Sequence, residues 1–170
     1  MFGFAIRIII FFQTKMQTEK ATIRHYIISD TDNLVELVNK SLSEPYSIYT
    51  YRYFLHNWPK LTFILEINGF MVGGLICRLE SSRNRGYIAM LAIEPDFRRK
   101  GLAKQLVSHA INTFYKTTNA VEIVLETEII NNAAMKLYTS FGFIKDKYLQ
   151  RYYMNGSDAV RLKLFLPRRH

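Results

Sequence analysis

Arg98-Arg99-Lys100-Gly101-Leu102-Ala103 is the stretch that most clearly indicates the fold of this 170-residue chain. It follows an apolar segment typical of a buried strand, residues 86–93, and it opens a segment with helical spacing, residues 102–115. A glycine at such a junction allows a tight turn that points backbone N–H groups outward at the positive end of the helix dipole. Because three cationic side chains precede the turn, the stretch predicts a site for a diphosphate.

The composition favours one folded domain with an anionic partner. Hydrophobic residues make up 49% of the chain, which excludes a disordered protein. The formal net charge is +9, and residues 143–170 carry seven Lys and Arg against two Asp, a local excess of +5. RNA, a phosphorylated cofactor or an acidic partner protein would each fit this excess, and so would a basic surface without a partner.

Cysteine and histidine predict neither a disulfide nor a metal site. Cys77 is the only cysteine, and its place in an apolar run favours a small core residue over a nucleophile. The four histidines, at positions 25, 56, 109 and 170, lack the spacing of metal ligands.

The first 15 residues differ from the rest of the chain. Residues 4–12 are apolar except for Arg7, and they are too few to span a bilayer, which takes about 20 residues. No small-residue cleavage site follows them, so a secretory signal is not indicated. We interpret residues 1–15 as a disordered or spurious extension, with a peripheral membrane anchor as the alternative. Residues 16–170 are predicted to form one domain in the cytoplasm.

Hydrophobic periodicity predicts a mixed α/β domain, with an antiparallel meander first and parallel crossovers later. Asn68-Gly69 and Asn155-Gly156 each mark a turn between two predicted strands. The predicted strands are residues 22–29, 61–67, 72–79, 86–93, 121–125, 143–150 and 159–166. The predicted helices are residues 31–43, 46–58, 102–115 and a fourth that Asn131 caps and Gly142 closes.

The phosphate-binding signatures of two common fold families are absent. A P-loop needs Gly-x-x-x-x-Gly-Lys-Ser/Thr, and a dinucleotide fold needs three glycines directly after its first strand. The Arg-x-x-Gly-x-Ala loop between a strand and an amphipathic helix instead resembles that of the GNAT acyltransferase superfamily. Asn131, Ala134, Leu137-Tyr138 and Gly142-Phe143 resemble the helix that follows in that family.

Further segments narrow the resemblance, over about residues 22–166, to the catalytic subunits of NatC-type N-terminal acetyltransferases. These segments are Ser43-Glu44-Pro45-Tyr46-Ser47-Ile48-Tyr49, Tyr51-Arg52-Tyr53-Phe54, Asn57-Trp58-Pro59, Arg85-Gly86-Tyr87-Ile88, Leu125-Glu126-Thr127-Glu128 and Arg151-Tyr152-Tyr153. The resemblance implies a central mixed antiparallel and parallel twisted sheet of about seven strands with four helices.

The same resemblance implies acetyl transfer from acetyl-CoA to the α-amine of nascent proteins that start with Met followed by Leu, Ile, Phe or Trp. It also implies auxiliary subunits and the ribosome as partners, and no metal. The pyrophosphate would lie on Arg98, Arg99, Lys100, Gly101, Leu102, Ala103 and Lys104. The backbone of Leu91, Ala92 and Ile93 would contact the acetyl and pantetheine arm, and Asn131 would contact CoA.

Amide formation at an α-amine has its own chemical demands. The amine is mostly protonated at neutral pH and must lose a proton before it attacks the thioester. The resemblance assigns Glu126 as the proton acceptor and Tyr138 as the proton donor to the leaving thiolate. By residue pattern alone, Glu126 could be a solvated acid at a strand end and Tyr138 a core tyrosine.

The peptide entrance is also assigned by resemblance, to Glu44, Pro45, Tyr46, Tyr87, Glu128, Tyr152 and Tyr153. An aromatic pocket there would suit a large second side chain, and a closed hairpin over it would disfavour internal lysines. By spacing alone, Tyr46, Tyr49, Tyr53 and Phe54 could be core residues of one helix.

Two alternative functions remain open at this point. Another GNAT enzyme would share the CoA loop but act on a lysine side chain or a small amine. A non-enzymatic basic module would bind RNA or an acidic partner through the C-terminal charge excess.

Overall fold

The domain contains seven strands and four α-helices within residues 20–42 and 46–168, the part of the chain that this computed structural model describes. The strands are β1 (Thr22–His25), β2 (Thr62–Ile67), β3 (Phe70–Glu80), β4 (Arg85–Ile93), β5 (Glu122–Glu128), β6 (Ile144–Leu149) and β7 (Ala159–Phe165). The helices are α1 (Thr31–Ser41), α2 (Ile48–Asn57), α3 (Leu102–Thr117) and α4 (Asn132–Thr139).

The strands form one mixed sheet in the order β1-β2-β3-β4-β5-β7-β6. Strands β1 to β4 make the predicted antiparallel meander, and Asn68 and Gly69 both adopt the left-handed backbone that a two-residue hairpin turn requires. Strand β4 pairs with β5 in parallel, and β7 inserts between β5 and β6 in antiparallel pairing. The predicted mixed sheet of seven strands with four helices is confirmed.

Two predicted boundaries were wrong by more than two residues. Strand β1 ends at His25 rather than Ser29, because the Asp30 carboxylate accepts the N–H of Ile27 at 2.8 Å and bends the backbone into a short 3-10 turn. Strand β5 runs on to Glu128 rather than Leu125, because its pairing with β7 continues through its last three residues.

Helices cover both faces of the sheet, so β4 and its neighbours are buried. On one face, α1 and α2 pack side chains such as Leu34 and Tyr51 against Ile64 and Ile76. On the other face, α3 packs Leu106, Val107, Ala110 and Phe114 against residues that include Cys77.

The aromatic helix α2 buries a different set of rings from the one that spacing suggested. Tyr51 and Phe54 are buried, whereas Tyr49 and Tyr53 are 75% and 51% exposed. The core interpretation was therefore right for Phe54 and wrong for Tyr49 and Tyr53, because the face of α2 that meets the sheet passes through Tyr51.

The N-terminal extension at residues 1–15 lies outside the described residues, so the extension and the single domain at residues 16–170 stay predictions. Over residues 20–42 and 46–168, no helix has both the length and the apolar character needed to cross a bilayer.

A close approach between β4 and α3 makes Gly86 sensitive to any side chain. A Cβ built on Gly86 would lie 2.8 Å from the ring of the buried Phe114. We expect Gly86→Ala to lower the free energy of unfolding by about 1–3 kcal/mol, because the ring must move within a packed core. Urea unfolding measures this loss. The loss should shrink when Gly86→Ala is made together with Phe114→Leu, and an equal loss in both backgrounds would contradict the steric explanation.

Candidate active site

The site lies where two parallel strands stop pairing. Strand β4 pairs with β3 along its whole length, but its ladder with β5 holds only three residue pairs and ends at Tyr87 opposite Val124. Beyond that point the backbone of residues 88–93 faces a gap on the β5 side. A cavity of about 650 Å³ lies in this gap, and the carboxyl ends of both strands line it. Ligands of open α/β sheets bind at this edge.

The Gly101 turn forms one end of the cavity. Gly101 precedes α3 as its N-cap residue with φ 78°, and Arg99 also has a positive φ of 60°. Such a turn leaves backbone N–H groups at the helix N-terminus free to meet an anion. The guanidinium of Arg98 is anchored to β4, because its Nε donates a hydrogen bond to the carbonyl of Ile93 at 3.0 Å.

The predicted diphosphate residues line the cavity with one exception. Lys100 does not line it, and its ammonium instead lies 5.0 Å from the ring centre of Phe97. The residues of this set that do line the wall are Arg98, Arg99, Gly101, Leu102, Ala103 and Lys104. The assignment of Lys100 to the pyrophosphate therefore stays a prediction that the cavity wall does not support.

Glu126 carries a nearly buried carboxylate at the other end of the cavity. Its side chain is 3% exposed, and both of its oxygens accept hydrogen bonds. The hydroxyl of Tyr87 donates to Oε2 at 2.7 Å, and Nε of Arg161 donates to Oε1 at 2.6 Å. A charge buried this deeply needs such partners, because desolvation of an unpaired carboxylate is costly.

Three tyrosines surround this carboxylate and remain neutral. Burial, followed by the charge of Glu126, raises the pKa of Tyr87 far above its usual range. Burial likewise raises the pKa of Tyr152 and of Tyr153, whose rings meet edge to face at 5.2 Å in the loop between β6 and β7. Their hydroxyls are therefore available as hydrogen-bond donors.

Tyr138 presents a further neutral phenol from α4. The side chain is buried, its ring meets that of Phe143 edge to face at 5.5 Å, and burial raises its pKa. Helix α4 begins where it does because the side chain of Asn131 accepts the N–H of Ala134 at 3.0 Å. The Asn131 oxygen is thus used as a helix cap, and its contact with CoA stays a prediction.

The cavity brings together most of the residues predicted for the site. The backbone segment from Leu91 to Ile93 lines it, and so do Tyr46, Tyr87, Glu126, Glu128, Asn131, Tyr138, Tyr152 and Tyr153. Glu44 and Pro45 lie outside the described residues, so their assignment to the peptide entrance stays a prediction.

The sequence interpretation missed Arg161 as a partner of the site. Arg161 was counted only as part of the basic C-terminal region, because nothing in its local sequence indicates a contact with Glu126. The one signal that could have found it is register. Arg161 lies directly opposite Glu126 in the β5–β7 ladder, where opposite charges attract.

The cavity combines groups that can bind an anion with groups that can transfer protons. The Gly101 turn offers N–H groups and cationic side chains to an anion, whereas Glu126 and the phenols can accept and donate protons. Among the described residues, no three His, Cys, Asp or Glu side chains are grouped as metal ligands. The cavity therefore suits a ligand with a diphosphate at one end and a second reactant, such as an amine, beside Glu126.

Comparison with known proteins agrees with this geometry. Residues 31–143 match the acetyltransferase (GNAT) family. N-alpha-acetyltransferase 30 of Xenopus laevis is 50% identical over 137 residues, which are 79% of this chain and 50% of that protein. N-alpha-acetyltransferase 30 of Schizosaccharomyces pombe is 44% identical over 147 residues, which are 85% of this chain and 97% of that protein.

A solved structure is similar in both sequence and fold. A chain in the crystal structure of the NatC complex bound to Gag peptide and CoA is 41% identical, with a TM-score of 0.83 over 87% of this chain and 99% of that chain. In length, this chain spans half of the Xenopus laevis relative, and less of the human and mouse relatives, at 38% and 37%.

Proposed function

Since this chain belongs to the acetyltransferase (GNAT) family, we propose that it transfers the acetyl group of acetyl-CoA to the N-terminal α-amine of nascent proteins. The preferred substrates start with Met followed by a bulky hydrophobic residue such as Leu, Ile, Phe or Trp. One observation carries the proposal: a single cavity is lined by the cationic Gly101 turn, by Glu126 and by the adjacent tyrosines Tyr152 and Tyr153.

The residues at the donor end fit acetyl-CoA. The amides of the Gly101 turn, with Arg98 and Arg99 beside them, would hold the pyrophosphate. The backbone of Leu91 to Ile93, which faces the gap between β4 and β5, would meet the amides of the pantetheine arm as an added strand would. The thioester would then lie between β4 and β5.

The residues at the acceptor end fit amide formation. Glu126 takes a proton from the α-ammonium, directly or through Tyr87 or a water, and the free amine nitrogen attacks the thioester carbonyl carbon. When the carbon–sulfur bond breaks, the thiolate of CoA takes a proton from Tyr138, which burial keeps neutral. The attacking nitrogen loses its second proton, which returns through water to the Tyr138 phenolate, and the proton on Glu126 leaves to solvent. The products are an N-acetylated peptide and CoA.

The acceptor entrance fits a peptide with a large second side chain. Tyr46, Tyr152 and Tyr153 supply aromatic surface on the cavity wall, and Tyr152 is still 47% exposed at the rim. The crystal structure of the NatC complex bound to Gag peptide and CoA, which contains the similar chain, supports this use of the entrance. A loop that closes over the amine leaves little room for a lysine within a chain, which would need space on both sides.

The partners follow from the same comparison. The similar chain is part of the NatC complex, so auxiliary subunits are proposed for this chain as well. Because the proposed substrates are nascent proteins, we propose that this chain acts near the ribosome in the cytoplasm.

A peptide panel tests the proposal. With acetyl-CoA as donor, we expect release of free CoA thiol to be fastest with a peptide that starts Met-Leu and slowest with peptides that start with Ser or Ala. An N-terminally blocked peptide with an internal lysine serves as control. Equal rates on all peptides, or faster reaction of the lysine peptide, would favour another GNAT substrate. RNA binding that weakens steeply with salt, without acetyl-CoA binding, would favour the basic module.

The two proton-transfer roles can be tested on their own. We expect Glu126→Gln and Tyr138→Phe each to lower kcat by about 10²-fold or more, because each removes a positioned proton acceptor or donor. Glu122→Gln is a matched control, since Glu122 lies on the same strand and pairs with Lys163 but does not line the cavity. Wild-type turnover in both test variants would refute the assigned roles.

The Gly101 turn can be tested against a glycine with the same backbone. Gly101 and Gly69 both have φ 78°, and a Cβ added at either residue would meet nothing within 4 Å beyond its neighbours in the chain. We expect Gly101→Val to weaken acetyl-CoA binding by about 10–100-fold, the value of one charge-assisted hydrogen bond. Gly69→Val should suffer similar backbone strain yet keep acetyl-CoA affinity, as calorimetry would measure. Equal acetyl-CoA affinities of the Gly101→Val and Gly69→Val variants would show that the Gly101 turn does not bind acetyl-CoA.

A further inference from the structure

Arg161 is the cation that meets the carboxylate of the proposed proton acceptor. It lies on β7 directly opposite Glu126 of β5, and its Nε donates to Glu126 Oε1 at 2.6 Å. The side chain of Arg161 is 24% exposed, whereas that of Glu126 is 3% exposed. The ion pair is thus shielded on the glutamate side, where screening by water is weak.

The other partners of Glu126 are themselves held in place. Tyr87 of β4 donates to Oε2, and the guanidinium of Arg78 on β3 lies 4.5 Å from the ring centre of Tyr87. Glu80 accepts a hydrogen bond from Arg78 at 2.6 Å. Tyr152 lies close enough for its pKa to respond to the charges of both Glu126 and Arg161. Strands β4 and β7 therefore contact this carboxylate directly, and β3 supports the contact from β4 through Arg78.

We infer that Arg161 is a positioning residue that, together with Tyr87, clamps both oxygens of Glu126 in the direction of the incoming amine. This inference rests on the proposed function. A carboxylate on a glutamate side chain can rotate, and a misplaced proton acceptor loses rate even when its chemistry is intact. With Oε1 held by Arg161 and Oε2 held by Tyr87, the remaining lone pairs of Glu126 keep one orientation toward the cavity.

Lys163 on the same strand provides a comparison for this role. It lies two residues from Arg161, so both side chains leave the same face of β7. Its ammonium pairs with Glu122 at 3.3 Å and with Asp146 at 3.2 Å, and none of these three residues lines the cavity. Loss of Lys163 therefore removes a strand cation and its ion pairs without touching Glu126.

Steady-state kinetics with Arg161→Met, Arg161→Lys and Lys163→Met test the clamp. We expect Arg161→Met to lower kcat by about 10–100-fold with the KM for acetyl-CoA unchanged. Arg161→Lys should restore part of the loss, because an ammonium can still reach Oε1, and Lys163→Met should keep the wild-type kcat. Equal kcat in Arg161→Met and Lys163→Met, or a loss seen only as a higher KM for acetyl-CoA, would overturn the inference.

A double-mutant cycle separates a role through Glu126 from a general structural role. If Arg161 acts by orienting Glu126, Arg161→Met should cost little further turnover once Glu126→Gln is present. Full additivity of the two losses would contradict the clamp.

A measurement without substrate distinguishes failure of the clamp from failure of the proposed function. Carbon-13 relaxation of the Glu126 side chain should report greater motion in Arg161→Met than in the wild type or Lys163→Met. Unchanged motion in Arg161→Met would overturn the clamp. Absence of peptide acetylation by the wild type would overturn the proposed function while this comparison still decides the clamp.

Discussion

The early end of the β4–β5 ladder is the constraint on which the site depends. Only three residue pairs join these parallel strands, and the divergence beyond Tyr87 opens a cavity inside a sheet that helices cover on both faces. The gap leaves β4 backbone groups available to a ligand, and it separates two chemically different ends. A fully paired β4–β5 ladder would satisfy those backbone groups within the sheet and leave no space between the Gly101 turn and the carboxylate of Glu126.

The electrostatics of the two ends follow from how each is buried. At the Gly101 turn, a left-handed backbone and a helix N-terminus present partial positive charge at the surface, where it can meet an anionic ligand. At Glu126, the carboxylate is nearly buried and accepts hydrogen bonds from Arg161 and from the Tyr87 hydroxyl. Burial keeps the phenols of Tyr87 and Tyr138 neutral, so each retains a hydroxyl proton that it can donate. The cationic turn and the buried carboxylate thus line one cavity but differ in how water screens them.

The sequence predicted the order of the elements because the signals are local. Helical spacing, the Asn68-Gly69 turn and the glycine before α3 each act over a few residues. Each element lies within four residues of its predicted bounds. The errors arose where distant groups intervened. The hydrogen bond to Asp30 ends β1 early, and pairing with β7 extends β5. Packing of α2 against the sheet buries Tyr51 and leaves Tyr49 exposed.

Contiguous motifs were sufficient to identify the family, because each motif is complete within a few residues. They also predicted the diphosphate turn and the residue types at the acceptor end. How those residues meet depends on the folded chain. Glu126 and Arg161 are 35 residues apart, and Tyr87 and Glu126 are 39 apart. Their contacts require the register of β5 against β7 and the point at which β4 leaves β5. Register is set by the packing of the whole sheet, so no local pattern could have shown that Arg161 belongs to the site.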